Sequence, residues 1–153
     1  MDNFTTKGNK KYKGINPSEG EISQNFCINE DDYRIEDYSE AAGQGDVELQ
    51  YKLAMCYFNG KQKDYTEAIK WFKKVLTSRK KQHGEKSIDV VEIYYFIAEC
   101  YKKLAEFEKA VYYYKKTLSI YKKEYEEDHF LITDTLSDIE ICNKHINKRE
   151  NVK

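Results

Sequence analysis

Apolar residues recur at intervals of three and four from about residue 31 to residue 146, with polar residues between them, which is the period of helices that each bury one face. Leu53, Ala54 and Tyr57 share one such face, and Ala68, Phe72, Val75 and Leu76 form the answering stripe of the next helix. The pairing then repeats. Leu53-Ala54-Met55-Cys56-Tyr57 matches Ile97-Ala98-Glu99-Cys100-Tyr101 at an offset of 44 residues, and Ala68, Phe72 and Leu76 match Ala110, Tyr114 and Leu118 at an offset of 42. The pattern predicts two helix hairpins of one design, differing by the length of a loop. A weaker third copy puts Leu136, Ile139 and Cys142 where Tyr94, Ile97 and Cys100 lie.

Punctuation along the chain agrees with that division. Asp46, Ser87 and Asp128 are candidate caps for helices that follow them, and Asp64-Tyr65-Thr66-Glu67 has the form of a capping box. Gly60 and Gly84 suit the turns or left-handed backbone that follow helices. The expected organisation is a disordered tail over 1–29 and a repeat domain over 30–147. Within it lie a helix over 30–43, repeats over 46–80 and 88–125, and a capping helix over 128–147, followed by a disordered tail over 148–153. The capping helix should turn Leu131, Ile132, Leu136 and Ile139 toward the core and Asp134, Asp138 and Lys144 toward water. Small residues at Ala54, Ala98, Ala68 and Ala110 mark where helix backbones approach closely.

Composition narrows the function more than the fold. One Pro and seven Gly in 153 residues favour long helices over a turn-rich β fold. A net charge of −1 provides no global field to recruit nucleic acid or an anionic membrane. The chain has no stretch approaching a membrane span, and its first twenty residues hold no signal-peptide core, so the expected location is cytoplasmic. Three of the four cysteines share one repeat position, so Cys56, Cys100 and Cys142 are expected to be reduced packing residues rather than metal ligands. No cofactor is expected.

The second unit, Tyr94-x2-Ile97-Ala98-x2-Tyr101 followed by Phe107, Ala110 and Tyr114, resembles the tetratricopeptide repeat, with Lys122 where that pattern closes on Pro. The first unit, from Ala42-Gly43-Gln44-Gly45-Asp46 through Gln50 to Ala54 and on to Asp64, Ala68, Trp71 and Phe72, is similar to the related Sel-like repeat. The 42-residue spacing and Glu127-Asp128-His129 look like the long-loop repeats of kinesin light chains, although Tyr95-Phe96 and Ser137-Asp138 replace the paired asparagines usual there. The resemblance covers residues 31–146. It implies an all-α, right-handed α-α solenoid of helix hairpins with about six helices.

The same resemblance implies a concave groove lined by the first helix of each unit, with Tyr51, Met55, Phe58, Asn59, Tyr95, Glu99, Lys102, Ser137 and Ile141 facing it. Aromatic and Met side chains suit a peptide with apolar anchors; for Tyr95 and Phe58 the alternative is packing against a neighbouring helix. The carboxylate clamp by which chaperone-binding members of the family grip a C-terminus would fall on Tyr51, Met55, Phe96, Asp134 and Asp138. None of these matches it. Basic pairs at Lys73-Lys74, Lys115-Lys116 and Lys122-Lys123, near Tyr112 to Tyr114, invite a nucleic-acid reading, but most lie toward helix C-termini, where positive charge complements the macrodipole. A solvated outer face is the better reading of them. The chain has no phosphate loop, metal motif or nucleophile elbow, and His83, His129 and His145 stand in separate segments. A non-catalytic adaptor or scaffold that binds a protein or peptide is therefore expected. The alternatives are a regulatory subunit assembling as a homo-oligomer and, remotely, an RNA-binding accessory.

Overall fold

The computed structural model describes residues 35–60 and 63–151. Six helices follow one another: α1 (Ile35–Gly43), α2 (Val47–Asn59), α3 (Tyr65–His83), α4 (Ile88–Lys103), α5 (Phe107–Glu124) and α6 (Phe130–Glu150). No strand occurs among the described residues, and each helix packs chiefly on its neighbours in sequence. The fold is an all-α repeat solenoid with α2–α3 and α4–α5 as equivalent hairpins and α6 in the register of the first helix of a third. The expected tail over 1–29 and residues 30–34 of the expected first helix lie outside the described residues.

Side-chain oxygens set several boundaries. Asp46 accepts from the backbone N–H of Glu48 and Leu49, both at 3.0 Å. Asp64 accepts from Thr66 and Glu67 at 3.1 and 3.0 Å, satisfying donors that have no partner within the helix. The reciprocal half of the box is not made, because Glu67 pairs with Lys70 one turn on. Ser87 caps α4 by accepting from Asp89 N–H at 3.1 Å. At α6 the expectation fails by one residue: His129, not Asp128, is the cap, its Nδ1 accepting from Leu131 N–H at 3.3 Å. The same helix continues through Glu150 into residues read as a tail.

Gly84 does adopt a left-handed backbone, φ +89°. Gly60 does not: its φ is −65°. Space, not backbone conformation, demands glycine there, since a Cβ would lie 2.3 Å from the carbonyl oxygen of Cys56.

The small residues predicted at the crossings are fully buried. Ala54, Ala68, Ala98 and Ala110 expose nothing, and Leu53, Phe72, Val75, Ile97 and Tyr114 fill the space around them. Two buried hydroxyls satisfy themselves on their own helix: Thr117 donates to the Tyr113 carbonyl and Thr135 to that of Leu131. Gln50 ties the first helix to the array by donating to the Ala42 carbonyl at 3.0 Å.

Leu136 corrects the reading of α6. It is 43% exposed rather than in the core. Its face is the one against which the second helix of a third hairpin would pack. There Glu140 and Asn143 replace the Ala98 and Tyr101 of the preceding unit, and both are exposed. The core face of α6 is instead made by Ile132, Thr135, Ile139 and Cys142.

Candidate functional site

The first helices of successive units, α2, α4 and α6, meet through side chains along one face. Two junctions result, and equivalent positions build both. At the first, Phe58, Phe72 and Phe96 form a closed aromatic cluster: Phe72 and Phe96 stack at 5.4 Å, and Phe58 meets Phe96 edge-on at 5.4 Å. Met55 is buried beside them. Repeat offsets carry Met55, Phe58, Phe72 and Phe96 onto Glu99, Lys102, Tyr114 and Asp138 of the second junction. An oily contact becomes a charged one.

At that second junction Lys102 Nζ donates to Asp138 Oδ1 at 2.8 Å and also pairs with Glu99. Tyr114 donates its hydroxyl proton to the same Glu99 oxygen that Lys102 meets, and its ring lies 5.6 Å beneath the Lys102 ammonium. These charges are largely withdrawn from water, with side-chain exposures of 12% for Glu99, 14% for Asp138 and 21% for Lys102. Burial pushes the Asp138 carboxyl above its usual range, Lys102 pulling against that without cancelling it. Lys102 is the reverse case: burial would lower its pKa, but Glu99 and Asp138 outweigh burial and raise it.

The nine residues expected to line the groove divide by burial. Tyr51, Met55, Phe58 and Tyr95 are buried and belong to the core, so for Phe58 and Tyr95 packing against a neighbouring helix is what the structure shows. Their rings complete the aromatic cluster: Tyr51 meets Phe72 and Phe96 edge-on, and Tyr95 meets Phe96 and Tyr114. Asn59, Glu99 and Lys102 are half-buried, while Ser137 and Ile141 are exposed. The face thus has an aromatic floor and a polar rim whose open end lies on α6.

Five contributors were not among the residues expected to line the groove. Tyr51 donates to Glu92 Oε1 at 2.9 Å, and Arg79 stands 3.8 Å from the other Glu92 oxygen and over the Tyr51 ring. At the second junction Tyr114 and Asp138 enter the network, and Asp134 is half-buried beside it. Asp134 and Asp138 were expected to face water; both turn inward instead, because α6 lies with its acidic stripe against α4. The repeat offset of 42 aligns Glu92 with Asp134, Phe72 with Tyr114 and Phe96 with Asp138, a signal that could have pointed to Glu92, Tyr114, Asp134 and Asp138; Arg79 falls on Tyr121 and carries no such signal.

Elsewhere the chemistry is already used. The cleft between the start of α5 and the end of α6, about 860 Å³, is bordered by Ala105, Phe107, His145 and Arg149. Arg149 donates to the Ala105 carbonyl at 2.9 Å and covers the Phe107 ring, on which His145 stacks. On the outer face, Lys73 donates to the Tyr101 hydroxyl at 3.0 Å, Lys80 and Lys116 share Glu85, and Lys109 pairs with Glu106. Among the described residues no group of three His, Cys, Asp or Glu side chains is arranged to hold a metal, and no helix is long and apolar enough to cross a membrane.

A model of the tetratricopeptide repeat matches residues 47–123, half of the chain. The chain belongs to the tetratricopeptide repeat family. The match runs from the first residue of α2 to within one residue of the end of α5, so the hairpins seen in space are the family's repeats. Tetratricopeptide repeats in general mediate protein–protein interaction and are typically non-catalytic. No curated protein matches the chain.

At two of its three occurrences the recurring cysteine position is closed packing, while Cys56 is half-buried. Cys100 and Cys142 expose nothing, and burial pushes the Cys100 thiol up to about 12 and raises that of Cys142 as well. A thiol in that range is not a nucleophile at neutral pH. Alkylation of the native protein at pH 8, read by peptide mass spectrometry, should leave Cys100 and Cys142 unmodified until denaturant is added. Prompt labelling of Cys100 in the native state would contradict the packing seen here.

Proposed function

We propose that this tetratricopeptide repeat chain is a non-catalytic cytoplasmic adaptor that holds a protein or peptide against the face formed by α2, α4 and α6. The carrying observation is the second junction. Its register positions are filled at the first junction by Met and Phe, yet carry Glu99, Lys102, Tyr114 and Asp138. Packing alone is served by the apolar set, and buried ion pairs of this kind rarely add stability over a hydrophobic equivalent. A departure from the locally better packing is where function is sought. The open end beside it offers Ser137 and the exposed Ile141 as contact surface.

Three consequences follow for partner choice. The aromatic floor is already packed, so contact falls on the rim and on α6 rather than on Tyr51 or Phe58. Growth of the array by end-to-end stacking of copies is disfavoured by the polar Glu140 and Asn143 on the outer face of α6. Lys73, Lys80, Lys109 and Lys116 of the outer face are engaged with a tyrosine or carboxylates, which leaves less to offer nucleic acid.

Affinity capture from lysate followed by mass spectrometry tests the assignment. Ser137→Trp and Ile141→Asp change exposed positions and should lose a partner that wild type retains. Tyr112→Ala, at a position 56% exposed on α5, should keep it. The opposite pattern would move the binding surface to the outer face.

A further inference from the structure

On the outer face, α3 and α5 carry one arrangement of side chains twice. In the first, Glu85 Oε1 receives three donors: Lys80 at 3.1 Å, Lys116 at 3.3 Å and the Tyr94 hydroxyl at 3.3 Å. Both ammoniums stand 5.8 Å from the centre of the Tyr94 ring. A step of seven residues on each helix leads from Lys80 back to Lys73, from Lys116 back to Lys109 and, since α4 runs the other way, from Tyr94 on to Tyr101. That is two helical turns, about 10 Å along the seam. There Lys73 and Lys109 stand 5.6 and 5.3 Å from the centre of the Tyr101 ring, and Lys73 donates to the Tyr101 hydroxyl at 3.0 Å. The two lysines and the tyrosine recur. The shared carboxylate does not.

Lys109 pairs with Glu106, three residues before it, and among the described residues no carboxylate bridges Lys109 to Lys73. An ammonium has three N–H donors. Tyr101 takes one from Lys73 and Glu106 takes one from Lys109, so each lysine keeps donors to spend. Both are open to solvent: Lys73 is exposed, and the Lys109 side chain keeps 60% of its exposure. An incoming group therefore reaches them without displacing a packed residue. Beside them the half-buried Tyr113 ring stacks on Tyr101 at 5.6 Å, and the exposed Tyr112 meets Tyr113 edge-on at 5.2 Å. An aromatic row thus runs from the lysine pair out to the surface.

We propose that Lys73 and Lys109, over the Tyr101 ring, are a docking point for a glutamate or aspartate side chain of a partner protein, held between the two ammoniums as Glu85 is held between Lys80 and Lys116. The chain's own example argues for that occupant: the same three groups, two turns along the seam, take a carboxylate. Charge-assisted hydrogen bonds from two lysines suit an oxyanion with more than one acceptor. Nucleic acid fits less well, because Glu85 and Glu106 stand along the same seam and the chain's net charge is −1. The site lies on α3 and α5, goes beyond the groove assignment above and does not rest on it.

Fluorescence anisotropy of a labelled hexaglutamate peptide with the full chain at low salt tests the site, with labelled hexauridylate as the competing class. Lys73→Met and Lys109→Met should each weaken the peptide about three-fold, the scale of an exposed ion pair, and more in combination, with unchanged circular dichroism. Glu85→Gln frees the second lysine pair and should tighten binding about two-fold or more, because one peptide can then engage both pairs. Glu140→Gln, an equal change of net charge on α6, should not. Peptide binding that is absent at low salt, that is indifferent to both lysine variants, or that only Ile141→Asp removes overturns the proposal. Equal tightening by the two glutamine variants overturns it as well, since net charge alone would then explain the binding. Hexauridylate bound more tightly than hexaglutamate through the same two lysines would assign the seam to nucleic acid instead.

Discussion

Phe96→Ala should destabilise the protein by about 3–5 kcal/mol, the range for removing a fully buried phenylalanine. Phe96 is only 1% exposed and touches the rings of Tyr51, Phe58, Phe72 and Tyr95. Those contacts join the two units, so the substitution opens a cavity at the junction rather than inside one hairpin. A loss of that size is a large fraction of the roughly 5–15 kcal/mol available to a domain. Urea unfolding monitored at 222 nm should show the midpoint falling steeply. A variant within about 1 kcal/mol of wild type would mean that the aromatic cluster does not hold the hairpins together.

The charged junction predicts opposite signs for two ways of altering it. Lys102→Met leaves Glu99 and Asp138 facing each other with no cation between them. The expected loss is about 3 kcal/mol, toward the low end for breaking a buried pair because the Lys102 side chain keeps 21% of its exposure. Replacing the whole set by its first-junction equivalents, Glu99→Met, Lys102→Phe, Tyr114→Phe and Asp138→Phe together, should instead be neutral or stabilising by up to about 4 kcal/mol. The pH dependence of the single variant follows from the raised Asp138 pKa. In the folded protein Asp138 holds its proton more tightly than in the unfolded chain, so its contribution to stability falls as pH rises through the folded value. Without Lys102 that fall should grow, and acidification should recover part of the loss. If the fourfold variant were instead several kcal/mol less stable than wild type, the network would be structural in origin and its functional reading would lapse.

Much of this was legible before any coordinates. Periodicity and the offsets of 44 and 42 residues located both hairpins, and the alanines at the crossings are where the structure buries them. The cap at Asp64 followed from side-chain chemistry alone. What the pattern left open was orientation about each helix axis. Tyr51, Met55, Phe58 and Tyr95 occupy groove positions in the repeat register, but each junction closes over them because Phe72 and Phe96, or Tyr114, supply rings at the right depth. Leu136 was placed inward because a leucine on an amphipathic helix usually is; no second helix follows to cover it among the described residues. Asp134 and Asp138 were assigned to water by the same habit. The inward setting of Asp138 depends on Lys102, 36 residues before it, and no local pattern announces so distant a partner. Comparing the two junctions position by position would have raised the question, since Phe96 and Asp138 cannot both be ordinary surface residues at one register.

Amide hydrogen exchange, recorded on the chain alone and saturated with a partner recovered by affinity capture, tests the binding face most directly. Slowed exchange across α4 and α6, with α3 and α5 unchanged, is the predicted result. Protection confined to α3 and α5 would contradict it.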